Sequence, residues 1–136
     1  VLSFASMTNE IDLWPINSHL TSKKSLCLPR VKKDVLEAYS VSNLKNLTTS
    51  IYKILEPNIK NDGKINPLYI DCILVPGVVF NKNGYRLGYG KGFYDKFLKS
   101  LNHKPKIIGI CFKEQYIVDD LPIEDHDFRI DEILFF

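Results

Sequence analysis

Apolar residues in this chain fall in short bursts separated by polar, turn-prone stretches. That pattern predicts buried strands alternating with covering elements rather than long helices. Residues 1–6 (VLSFAS) read as a first strand. Asp12 then caps a helix from 13 to about 23, with Pro15 tolerated in its first turn and Leu13, Ile16 and Leu20 along one face. Residues 25–28 (SLCL) form a second strand stopped by Pro29, which completes a strand–helix–strand unit. Residues 31–41 alternate weakly and read as a strand suited to a sheet edge. Residues 42–50 are polar and irregular, 51–55 (IYKIL) form a short strand before Glu56-Pro57, and Asp62-Gly63 is a turn.

The second half is patterned more sharply. Residues 71–75 are a buried strand ended by Pro76-Gly77, and 81–84 (NKNG) have turn chemistry. Gly88, Gly90 and Gly92 stand at alternate positions. Phe93, Phe97 and Leu101 are four apart, the spacing of one helix face. Residues 106–112 (KIIGICF) and 133–136 (ILFF) are two further strands. The alternation predicts an α/β fold with a mostly parallel sheet covered on both faces.

Composition narrows the class without changing this picture. A chain of 136 residues, 45% hydrophobic and 25% charged, is one globular domain. A net charge of +2 gives no case for nucleic acid or a membrane surface, and no apolar run approaches a membrane span. The opening residues lack the basic-then-apolar pattern of a signal peptide. Cys27, Cys72 and Cys111 are odd in number, far apart and without a CxxC pair, so reduced buried thiols in a cytoplasmic protein are expected.

The candidate chemistry centres on residues 71–98. Strand, turn, glycine-rich loop and helix gather backbone N–H groups and a helix N-terminus at one spot, which favours phosphate. Arg86 and Lys91 add positive charge, and Asp95 is placed to hold a metal ion bridging phosphates. The stretch is neither a Walker A loop, since Gly92 follows Lys91, nor a dinucleotide fingerprint, since Phe93 stands where glycine is needed. A glycine-rich hairpin carrying a solvated lysine is the alternative. Glu10 follows the first strand, where parallel sheets open their ligand crevice; on its own it reads as a solvated loop carboxylate. Lys96, Lys99, Lys104 and Lys106 with Tyr94 and Phe97 suggest a nucleic-acid patch, but the rings have helix-core spacing. His19 and His103 read as surface residues. His126 lacks the further His or Cys ligands of a zinc site.

The run PGVVF-x3-G-x-RLGYGKGFYDKFL resembles the signature of the 5-formyltetrahydrofolate cyclo-ligase (methenyltetrahydrofolate synthetase) family, with Phe93-Tyr94-Asp95 where Tyr-Tyr-Asp is usual. Residues 6–10 (SMTNE), Pro29-Arg30, Glu56-Pro57, Leu121-Pro122, His126-Asp127 and Asp131-Glu132 follow in family order. The resemblance implies a three-layer α/β/α fold with a mostly parallel, Rossmann-like sheet. It implies ATP- and Mg2+-dependent cyclisation of 5-formyltetrahydrofolate to 5,10-methenyltetrahydrofolate, with release of ADP and phosphate. Lys91 and Arg86 would be catalytic. Glu10, Met7, Glu56, Tyr89, Phe93 and Tyr94 would bind the folate. Arg86, Leu87, Gly88, Tyr89, Gly90, Lys91, Gly92, Phe93 and Tyr94 would bind ATP, and Asp95 with Asp127 magnesium.

The expected partners are the folate and ATP, with no nucleic acid and no membrane. Family members begin with a helical segment whose Lys and Arg reach the ATP phosphates, so a single domain lacking that segment is expected here. Such a chain would bind nucleotide poorly. It would be a monomer, self-associating if the missing helix leaves apolar surface exposed. Two rivals are a non-catalytic folate- or nucleotide-binding remnant and a phosphosugar isomerase or transferase of similar fold.

Overall fold

The structure is a computed structural model and describes residues 1–122 and 128–136. Its first helix, α1, spans Trp14–Ser22, with Pro15 in the first turn and the Trp14 amide donating to Asp12 Oδ1 at 3.0 Å. The buried face of α1 differs from the expected one. Leu13 is fully buried at the N-cap, but Ile16 is 38% exposed and Asn17 takes the inward position. The reason is an unmet acceptor: Asn17 Nδ2 donates to the carbonyl of Phe4 at 3.0 Å, in a place where an apolar side chain would leave that oxygen unpaired.

Strand β1 is Cys27–Lys32 and β2 is Val35–Ser40, paired antiparallel. Pro29 therefore does not end the strand. Cys27 donates its N–H to Val1, so by the two-residue period the missing N–H of Pro29 falls on the same flank. There, among the described residues, β1 pairs only at Cys27, and no ladder bond is lost. The turn between β1 and β2 is Lys33-Asp34, both left-handed at φ 49° and 62°. That is the pairing of a two-residue type I′ hairpin, made without the usual Asn or Gly.

The expected strand at 51–55 is instead mostly a turn. Thr48–Thr49 (β3) and Leu55–Glu56 (β4) make a small hairpin, and Ile51 at its tip is 90% exposed. Gly63–Lys64 (β5) joins β2. Cys72–Val75 is β6. Val79–Asn81 (β7) and Arg86–Leu87 (β8) flank the NKNG turn. Asn81 Oδ1 in that turn accepts from the amides of Asn83 and Tyr85. Helix α2 is Phe93–Lys99; the remaining strands are Lys106–Cys111 (β9), Tyr116–Ile117 (β10) and Glu132–Phe135 (β11).

The sheet is mixed rather than mostly parallel. Leu2 bridges in parallel to Cys27 and to Ile73, joining the antiparallel group β5-β2-β1 to the parallel group β6-β9-β11. Alternate residues of β6 feed two cores. Ile73 and Val75 pack with Phe80, Phe97, Leu98 and Ile130, while Leu74 packs with Phe4, Ile11, Leu13 and Ile110. All three cysteines are free, and burial pushes the Cys111 thiol up to about 11. No helix of the described residues is long and apolar enough to cross a membrane.

Phe80 is fully buried between two glycines. A Cβ on Gly109 would stand 2.7 Å from Phe80 Cε1, and one on Gly77 would stand 2.9 Å from Cζ. Gly109→Ala should therefore lower stability by about 1–3 kcal/mol in urea unfolding, the usual cost of overpacking. Phe80→Leu in the same chain should recover part of that loss, since the two residues share one contact. Strictly additive effects would show that the ring is not the obstacle.

Candidate active site

Several elements end at one place and enclose a cleft of about 710 Å³. The chain leaves the sheet after Ser3, so Phe4, Ala5, Met7 and Glu10 form one wall. The Glu10 amide donates to the Met7 carbonyl at 3.0 Å, and the Met7 amide donates to Glu10 Oε2 at 2.7 Å. The carboxylate is thus folded back onto its own turn. Opposite it run residues 86–92 and the first turn of α2.

The glycines serve two different needs. Gly90 (φ 95°) and Gly92 (φ 68°) are left-handed, and a Cβ on either would meet nothing within 4 Å, so conformation alone selects glycine there. Gly88 is selected by space, because a Cβ would come within 2.8 Å of Arg86 Nη1. That guanidinium is built into the wall. It donates to the Pro76 carbonyl at 3.0 Å and lies over the rings of Tyr94 and Phe128, at 5.4 and 5.3 Å from their centroids. Lys91 is exposed and, among the described residues, makes no hydrogen bond or ion pair, which leaves its ammonium available to an incoming anion.

The Tyr89 hydroxyl donates to Glu10 Oε1 at 3.0 Å and so ties the glycine loop to the opposite wall. Its pKa is pushed up to about 12, first by burial and then by the charge and hydrogen bond of Glu10, with Arg86 pulling the other way. Burial likewise raises the Tyr94 phenol, again opposed by Arg86. Arg30 Nε lies 3.6 Å from Glu56 Oε1, both partly buried. Burial raises the Glu56 carboxyl, and Arg30 offsets part of the rise. The Pro-Arg and Glu-Pro pairs singled out in the sequence therefore meet across the cleft wall.

Every described residue named as a candidate from the sequence opens onto this cleft: Met7, Glu10, Glu56, and all of Arg86 to Asp95. Asp127 and His126 lie outside the described residues. Among the described residues no three His, Cys, Asp or Glu side chains cluster as a metal site. Asp95 stands half-buried on the cleft, a donor set that suits magnesium completed by phosphate oxygens and water. Sequence reasoning missed Tyr52, which lines the cleft from the β3–β4 hairpin and meets Phe93 edge-on, with centroids 6.0 Å apart. A lone aromatic in a turn carries no periodicity that would reveal it.

Comparison with known proteins now bears on this cleft. A family model described as the 5-formyltetrahydrofolate cyclo-ligase family matches residues 1–135. This chain belongs to the 5-formyltetrahydrofolate cyclo-ligase family. It is 32% identical over 145 residues to the mouse 5-formyltetrahydrofolate cyclo-ligase, covering 97% of this chain and 70% of that protein. The Aquifex aeolicus 5,10-methenyltetrahydrofolate synthetase has the same fold, with a TM-score of 0.82 and 32% identity over 98% of this chain and 66% of its own. The Mycoplasma pneumoniae 5,10-methenyltetrahydrofolate synthetase superposes with a TM-score of 0.72 at 25% identity, covering 97% and 70%. The chain thus spans about two thirds of the length of these cyclo-ligase relatives.

The raised tyrosines fix the sign of an alkaline pH dependence. A tyrosine in the unfolded chain ionises near 10, while Tyr89 in the fold holds its proton to about 12. Its contribution to stability is complete below pH 10 and is lost as pH rises from 10 through about 12. Urea unfolding followed across that window should show a steeper loss in the parent than in Tyr89→Phe. Parallel curves would mean that Tyr89 titrates normally.

Proposed function

We propose that this cleft carries out the ATP- and magnesium-dependent cyclisation of 5-formyltetrahydrofolate to 5,10-methenyltetrahydrofolate, with release of ADP and phosphate. The observation that carries this reading is the convergence on one cleft of Glu10, Glu56 and residues 86–95, in a chain of the cyclo-ligase family. In this reading the sheet and its two helices form a three-layer, Rossmann-like arrangement. Ligands then sit at the ends of parallel strands, and Phe4 and Pro76, just past two neighbouring strands, line the cleft. The three free thiols fit a reducing, cytoplasmic setting.

The formyl oxygen on N5 is a poor leaving group. Transfer of the γ-phosphoryl group to it turns it into a good one. The N10 lone pair then attacks the formyl carbon, the carbon–oxygen bond breaks with its electrons going to phosphate, and the N10 proton is lost to water. No protein nucleophile is needed, so the residues serve to position and to neutralise charge. Glu10 offers its carboxylate to the row of N–H donors on the pterin. Met7, Tyr89, Phe93 and Tyr94 flank the rings, and Glu56 with Arg30 closes the opposite side. Lys91 and the amides of residues 87–94 receive the phosphates, and Arg86 braces the loop from behind. Asp95, together with Asp127, would hold the magnesium ion, which supplies charge neutralisation to the phosphates.

The test is formation of the methenyl product from 5-formyltetrahydrofolate by the 136-residue chain, with and without ATP and magnesium. Product that requires both is the expected result. Turnover of a phosphosugar without ATP would favour the isomerase reading, and folate or nucleotide binding without turnover would favour the remnant. In the active protein, Lys91→Ala should lower kcat by roughly 10²–10³, the usual cost of removing one preorganised charge. Its unfolding midpoint should be unchanged, because Lys91 is exposed. A loss of threefold or less would remove Lys91 from this role.

A further inference from the structure

Tyr89 stands on the glycine loop, and its hydroxyl bonds to Glu10, 79 residues earlier in the chain. Among the described residues this is the one hydrogen bond that residues 88–91 make. Past Gly88, which lies against the Arg86 guanidinium, packing does little to fix the loop, since the space around Gly90 and Gly92 is open. Glu10 is held at its other oxygen by the Met7 amide. A carboxylate has about four acceptor sites, so roughly two remain for N–H donors on a ligand. A folate can therefore use Glu10 without breaking the bond to Tyr89.

We propose that the Tyr89–Glu10 hydrogen bond couples the two halves of the cleft, so that nucleotide phosphate ordering the glycine loop also sets the carboxylate that receives the folate; this rests on the function proposed above. Tyr89 is then a positioning residue acting through Glu10. An ordered loop holds the hydroxyl where it fixes one carboxylate rotamer. A carboxylate fixed by folate in turn holds the loop in its phosphate-binding form. The coupling is reciprocal by necessity, and each ligand tightens the other by the same factor. Because the Tyr89 phenol keeps its proton to about 12, the donor is present across the physiological range.

The experiment is calorimetric titration of 5-formyltetrahydrofolate into the parent chain and into Tyr89→Phe, each with and without a saturating non-hydrolysable ATP analogue. The parent should bind the folate about 5- to 20-fold more tightly when the analogue is present, within the usual range of such couplings. In Tyr89→Phe that ratio should fall to about 1, because the bond that links the two sites is lost, whatever the change in each ligand's separate affinity. A merely structural tyrosine would weaken both separate affinities and leave the ratio alone. The same ratio in both proteins, or a parent ratio of one or below, overturns the coupling. A parent that binds neither ligand overturns the function itself and the coupling with it, whereas binding of both without a Tyr89-dependent ratio overturns the coupling alone.

Discussion

The fold depends on the main-chain pairing of residues 1–3. Leu2 and Ser3 are both fully buried, so their backbone groups must find partners within the protein. They find them on both sides. Leu2 donates to Cys72 at 2.9 Å and accepts from Leu74 at 2.8 Å; Ser3 donates to Cys27 at 2.9 Å, and Cys27 donates back to Val1 at 2.8 Å. These bonds join the antiparallel hairpin to the parallel strands, and the Leu2 side chain seals the core beneath them. The same segment continues directly into Phe4, Ala5, Met7 and Glu10. The stretch that holds the sheet together thus also delivers one wall of the cleft, and the position of Glu10 follows from the segment that joins the two halves of the sheet.

What could be read in the sequence follows from how local each signal is. The apolar runs that became β6 and β9 announce buried strands because both of their faces are covered. The NKNG turn announces itself through residues that accept a left-handed backbone. The Lys33-Asp34 turn adopts a left-handed backbone with residues that do not advertise it, so the strand expected over 31–41 ran through the turn and took in the end of β1. Pro29 looked like a stop because its tolerance depends on where the neighbouring strand ends, which is a property of the sheet. Nothing in the local pattern marks Asn17 as an inward residue, because its partner, the carbonyl of Phe4, is 13 residues away. The candidate site was legible in its membership through the family motif, but its contacts were not. The Arg30–Glu56 pair and the Tyr89–Glu10 bond both join segments far apart in sequence.

The glycine loop combines two requirements that one spacing conceals. Alternate glycines suggest a uniform, yielding strip. Gly88 is instead the point where the loop is pressed against something fixed, the Arg86 guanidinium held between the Pro76 carbonyl and two aromatic rings. Gly90 and Gly92 face open space and are needed for the left-handed backbone that leads into α2. The loop is therefore anchored at its start and free at its crest. Lys91, without a partner among the described residues, sits at that crest, between the two glycines that leave its surroundings open. A side chain at residue 88 would disturb a braced cation and its rings, whereas one at 90 or 92 would oppose the backbone alone. In the proposed function this division is useful: the anchored start would fix where the phosphate arrives, and the open crest would let the amides and the lysine close around it.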